Sequence, residues 1–209
     1  MNRLWPRNTP IQSRAHALVW LLVCLWSLCA AGLALAQQDS STRVTAVKLE
    51  PSKPPVSAGW NLAAEFDIQL GYKLREAVDR GLPLQFAVDF QLLRPRWYWM
   101  DEQTISTTYT YNLSYNALTR TYRLVTPNNT YTATTLDEMT ARMSKVSNWT
   151  VIHRDQIAWG EQYTAQVRFR LLLTELPKPF QISALVNSEW DLSSEWVAFE
   201  FTPRREALK

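Results

Sequence analysis

Cysteine is nearly absent from this chain of 209 residues: there are two, Cys24 and Cys29, and both fall inside the apolar run near the N-terminus. From residue 37 onward there is none, which excludes a disulfide framework, a thiolate nucleophile and a Cys-ligated metal from that part of the protein. Histidine is almost as scarce, with His153 alone beyond residue 36. One histidine and no cysteine leave only carboxylates as metal ligands, and no stretch has the spacing of a calcium loop. The sequence also lacks a Gly-x-Ser-x-Gly elbow and a Gly-rich oxyanion loop, so His153 has no visible nucleophilic partner and reads as an ordinary strand residue. Excess charge is missing too. With Arg3, Arg7 and Arg14 set aside, 19 basic residues stand against 19 acidic ones, which removes the electrostatic support for nucleic-acid binding.

What the chain does have is a marked N-terminus. Three arginines lead into the apolar run from Ala17 to Leu35, which closes on the small-x-small triplet Ala34-Leu35-Ala36. This predicts a secretory signal over residues 1–36, cleaved after Ala36. The stretch 18–36 is longer than the ~7 to 15 residues of a usual signal core and approaches a membrane span, so its retention as an N-terminal membrane anchor is the alternative. The small residues of 30–36 and the abrupt polarity of Gln37, Gln38, Asp39 and Ser40 favour cleavage. Trp26, Ser27 and Leu28 ahead of Cys29 do not fit a lipidation signal. Residues 37–59 read as an extension with a stiff connector from Pro51 to Pro55, residues 60–203 as one domain, and 204–209 as a tail.

That domain is written in period two. Leu62, Ala64, Phe66, Ile68 and Leu70 alternate with polar or small residues, as do Leu84, Phe86, Val88, Phe90 and Leu92, and Tyr163, Ala165, Val167, Phe169, Leu171 and Leu173. Gln85, Ala87, Asp89 and Gln91, and likewise Thr164, Gln166, Arg168 and Arg170, point the other way. Shorter strands are expected at 44–49, 104–113, 121–125, 149–153 and 196–202, with a hairpin turning near Asn116. The pattern predicts a mostly β protein, an antiparallel β-sandwich of immunoglobulin-like architecture, with one main helix at about 136–146. Thr135 and Glu138 suggest a capping box, and Leu136, Met139, Met143 and Val146 an apolar stripe. A shorter helical turn is expected at 74–79, stopped by Gly81.

Several segments together resemble a known family: GLPLQF (81–86), RPRWYWMDE (94–102), LSYNALTRTYRL (113–124), the helix at Leu136 followed by Trp149, and LPKPFQISALVNSEWDLSSEW (176–196). They are similar to the proteobacterial domain family DUF4390. The resemblance implies an exported protein of the Gram-negative envelope, placed in the periplasm or held at the inner membrane by residues 18–36. It implies no assigned activity, and it carries no catalytic residues over. The genes that accompany the family imply an association with a membrane sensor histidine kinase of the nitrogen type.

The candidate binding surface centres on Arg94, Arg96, Trp97, Trp99 and Asp101, where guanidiniums, aromatic rings and carboxylates crowd between two strands. The competing reading is a buried tryptophan between the sheets, with both arginines paired to acidic neighbours. Trp190 and Trp196 bracket a polar stretch before the last strand and read either as the far wall of a groove or as a loop covering a sheet edge. The functional expectation is a non-enzymatic module, without cofactor, that binds an envelope or membrane protein. The alternatives are a carbohydrate- or lipid-binding sandwich using exposed tryptophans, and a hydrolase drawing on carboxylate pairs such as Asp101 with Glu102, Asp137 with Glu138, or Glu189 with Asp191.

Overall fold

The computed structural model describes residues 40–52, 59–96 and 101–204, apart from the side chain of Leu185. The expected signal with its cleavage point at Ala36, most of the Pro-rich connector, Trp97, Trp99 and nearly all of the expected tail lie outside the described residues. In chain order the elements are β1 (Ser41–Pro51), β2 (Gly59–Gln69), α1 (Tyr72–Asp79), β3 (Leu84–Arg94), β4 (Glu102–Asn116), β5 (Thr121–Val125), β6 (Thr130–Ala133), α2 (Leu136–Met143), β7 (Lys145–His153), β8 (Tyr163–Leu171), α3 (Lys178–Val186) and β9 (Val197–Phe201). The strands form two antiparallel sheets, a small one in the order β1-β2-β7 and a large one in the order β6-β5-β4-β3-β8-β9.

The period-two apolar residues become the space between the sheets. Leu62, Ala64, Phe66 and Ile68 of β2, the Leu84 to Leu92 series of β3 and the Tyr163 to Leu171 series of β8 are all buried. Rings meet across the gap: Phe66 of the small sheet lies 5.4 Å from Phe169 of the large one, Trp60 lies 5.4 Å from Phe201, and Tyr109 lies 5.4 Å from Trp149. The fully buried side chains of β2, β3 and β8 contribute roughly 1.5–3 kcal/mol each, and the partly buried Phe201, Tyr109 and Trp149 add to the contact between the two layers. The first strand, β1, falls within the segment read as an extension, yet it pairs with β2 along almost its whole length and packs Val44, Val47 and Leu49 against the core. Gly59 marks a close approach of β2 and β7: a Cβ there would lie 2.3 Å from the carbonyl oxygen of Ile152.

Helices cover the ends. Leu136, Met139 and Met143 of α2 are buried, and Thr135 Oγ1 accepts the Glu138 N–H at 3.4 Å. The Glu138 carboxylate is held by Arg142 at 3.0 Å, so the cap rests on Thr135 alone. Thr135→Ala is expected to cost about 1 kcal/mol, read as a lower urea midpoint with an unchanged slope. The helix stops at Met143, short of the expected 146: Val146 is buried as a strand residue opposite Ala64, and its place in the apolar stripe is a coincidence of spacing. Helix α1 ends as expected at Gly81, whose φ of 87° allows Gly81 N–H to reach Val78 O at 2.8 Å and Leu82 N–H to reach Ala77 O at 3.0 Å. Two elements differ from expectation by their presence. Strand β6, Thr130–Ala133, and helix α3, where apolar and polar residues alternate from Phe180 to Ala184, have no counterpart among the expected elements.

Candidate functional site

Strand β3 ends at Arg94 and β4 begins at Glu102, directly opposite it in the register, so the sheet itself brings the first candidate residues together. Arg94 Nη2 lies 2.8 Å from the Glu161 carboxylate and donates to the Tyr163 hydroxyl at 3.3 Å, and its guanidinium carbon sits 5.7 Å from the centre of the Tyr163 ring. These contacts raise the Arg94 pKa further, the Tyr163 hydrogen bond foremost. Arg96 pairs with the Glu102 carboxylate, and its backbone N–H contacts Asp101 Oδ1 at 3.4 Å. Both arginines are therefore committed to neighbouring acids.

Trp190 and Trp196 do not join that surface. Trp190 is buried, 5.8 Å from Phe180 of α3, and lies beside Leu82 and Pro83 where β3 begins, whereas Arg94 is where β3 ends. Trp196 lies on the outer face of the large sheet, with the Arg168 guanidinium 4.5 Å above its ring. Trp190 is enclosed, and one face of the partly exposed Trp196 ring is taken by Arg168. The segment between them runs along β8: Leu171 N–H donates to Leu192 O at 2.7 Å, Ser194 N–H to Phe169 O at 2.8 Å, and Phe169 N–H to Ser194 Oγ at 3.0 Å. It continues the edge begun by β9 instead of forming a groove wall.

The structure adds two places that sequence reasoning did not assemble. On the outer face of the large sheet, Asp89 of β3 is nearly buried and is met by two cations of β8, Arg168 Nε at 2.9 Å and Arg170 Nε at 2.6 Å, while Thr108 of β4 donates to its other oxygen at 3.0 Å. Burial alone would push the Asp89 carboxyl up, but the hydrogen bonds from Arg170, Arg168 and Thr108 outweigh it and hold the group below its ordinary value. The residues on each strand are visible in the sequence as outward-facing; their meeting depends on the β3–β8 register, which places Asp89 opposite Arg168.

The second place is a groove of about 600 Å³ between α1, the turn that leads into β3, and α3, lined among others by Lys73, Arg80, Leu82, Phe180 and Trp190. Glu76 on its wall pairs with Arg80 at 2.7 Å. Along α3, Phe180 is 38% exposed, Ile182 66% and Val186 87%. Ile182 and Val186 share one face of this short helix, while Phe180 turns to the groove and Trp190; in the sequence the alternation of Phe180, Ile182 and Ala184 with polar residues masks the helix.

Other residues considered for chemistry are dispersed. His153 is exposed and its backbone N–H bonds to Gln156 Oε1 at 2.9 Å. Asp137 pairs with Arg75 at 2.9 Å and Glu138 with Arg142, so that carboxylate pair serves the helix and its neighbour. Among the described residues no group of three or more His, Cys, Asp or Glu side chains converges.

Fold and surfaces define a two-sheet β protein whose notable features are a paired-arginine face and an exposed apolar helix beside a groove. The chain belongs to the DUF4390 family, a domain of unknown function, whose family model matches residues 40–200. No curated protein and no solved structure matches the chain.

Proposed function

We propose that this chain is an exported, non-enzymatic interaction module of the bacterial envelope, which docks a membrane protein through α3 and the groove beside it. The observation that carries this reading is the exposure of Ile182 and Val186 on one face of a single helix whose other side, through Phe180, borders the groove. Isolated exposed apolar residues are ordinary, but Ile182 and Val186 stand one helical turn apart, and Phe180 borders a groove whose opposite wall carries Lys73 beside the Glu76–Arg80 pair. A partner segment with apolar residues flanked by acids fits that surface. The extracytoplasmic part of a sensor kinase is the candidate that the family resemblance supplies.

The test is the double variant Ile182→Gln, Val186→Gln, in which both sites are already solvated, so folding should change by less than about 1 kcal/mol. From a detergent-solubilised envelope extract, wild type is expected to recover one membrane protein and the double variant about tenfold less of it. Equal recovery by both would remove α3 from the docking surface. Recovery shifting instead with Arg96→Ala would return the site to the end of β3.

A further inference from the structure

The outer face of the large sheet holds more positive charge than its one buried acid needs. A single arginine would neutralise Asp89; here Arg168 and Arg170 both turn their Nε toward Asp89 Oδ2. Their side chains remain 30% and 33% exposed. Among the described residues neither Nη of Arg168 is hydrogen-bonded, and Arg170 Nη2 has one long contact of 3.5 Å to Asp89 Oδ1. Glu195, the acid next to Trp196 in the chain, forms no ion pair with either arginine among the described residues. Placing two like charges side by side is unfavourable unless something uses the second.

The geometry of the pair resembles a prepared receptor. A guanidinium held by its Nε keeps its outer edge free, and that edge presents donors in the fork that matches an oxyanion. Asp89 fixes both guanidiniums from beneath, and the Trp196 ring holds that of Arg168 from one side at 4.5 Å. Ordering them before the ligand arrives removes much of the entropy that long side chains lose on binding. The surroundings are polar: Gln166 donates to Gln91 at 2.8 Å, and Thr108 and Thr110 stand opposite Asp89 and Ala87. An open face of this kind gives a small free anion little enclosure, whereas an extended chain can lie across several strands and meet the arginines with its side chains.

We propose that Arg168 and Arg170, positioned by Asp89 and Trp196, form a docking site for carboxylate side chains of an acidic polypeptide segment. The site is separate from α3 and does not depend on the docking role given to that helix.

The experiment titrates the purified full chain, followed by NMR of the arginine Nε–Hε groups, with an octapeptide of alternating Glu and Ser, the matching peptide of Gln and Ser, and inorganic phosphate. The expected result is that the Glu peptide binds about tenfold more tightly than the Gln peptide or phosphate, and moves the Arg168 and Arg170 resonances first. Arg170→Lys keeps the charge but loses the fork, and is expected to weaken Glu-peptide binding about fivefold. Asp89→Asn removes a negative charge, so plain attraction would tighten binding, while loss of positioning weakens it; weakening is expected. Amide spectra establish that each variant is folded, and if Asp89→Asn is not, Arg170→Lys decides the matter. Unchanged binding in Arg170→Lys, tighter binding in folded Asp89→Asn, or phosphate bound as tightly as the Glu peptide would each overturn the proposal.

Discussion

Phe169→Ala is expected to lower the stability of the protein by about 3–5 kcal/mol, a large share of the ~5–15 kcal/mol that holds a domain folded. The ring is fully buried and touches three strands besides its own: Phe66 of β2 at 5.4 Å, Phe86 of β3 at 5.7 Å and Tyr111 of β4 at 6.4 Å. Its removal takes away the apolar transfer term and leaves a cavity at the place where the small sheet rests on the large one. The backbone cannot collapse into that space easily, because β8 is paired at Phe169 with β3 on one side and bonded to Ser194 on the other. Urea denaturation reads the effect as a lower midpoint. Leu118→Ser, at a turn residue that is 96% exposed, is the control and should stay within about 0.5 kcal/mol of wild type. A loss below about 1 kcal/mol in Phe169→Ala would mean that these rings do not carry the contact between the sheets.

The position of Phe169 in the core is legible in the sequence, because alternation on β8 assigns one face to Tyr163, Ala165, Val167, Phe169 and Leu171, and burial follows that assignment. The same holds for β2 and β3. Periodicity reports which side of a strand faces the core; it carries no information about which strand lies alongside which. Asp89, Arg168 and Arg170 are therefore recognisable as outward-facing, while the cluster they make depends on pairing residues 79 and 81 positions apart. For Trp190 and Trp196 nearness in sequence allows either one aromatic wall or a loop covering a sheet edge. The chain between them runs along the edge of β8 and carries one under α3 and the other onto the outer sheet face.

Helix α3 escapes sequence reading for a different reason. Phe180, Ile182, Ala184 and Val186 alternate, which by itself reads as a strand or a covering loop, and Pro177 and Pro179 discourage a helical reading. Proline is well tolerated in the first turn, and that is where Pro179 stands. The expected end of α2 lies too far along the chain because Val146 fits both the helical stripe and the inward face of β7. Ambiguity of this kind arises where a helix runs directly into a strand that serves the same core.

Asp89→Ala is expected to cost about 2–3 kcal/mol at pH 7, because it leaves Arg168, Arg170 and Thr108 without their shared acceptor. The figure falls below the cost of breaking a fully buried ion pair, since both guanidiniums are about one-third exposed and can turn to water. The carboxyl is held below its ordinary value of 3.8 in the folded state, so its contribution is complete above that pH and is lost as the pH falls further through the folded value. The difference between wild type and Asp89→Ala should therefore narrow in urea melts as the pH falls from 7 towards 3; a difference that widens instead would contradict the arginine-stabilised carboxylate. Replacing all three groups at once separates stability from use. The triple variant Asp89→Val, Arg168→Thr, Arg170→Thr puts strand-favouring residues in their place and should return to within about 1 kcal/mol of wild type, since a buried charge cluster seldom outperforms a well-packed apolar one. It should also lose the preference for the Glu peptide. A stable fold that no longer distinguishes acidic from neutral segments would show that the arginines are there for what they hold.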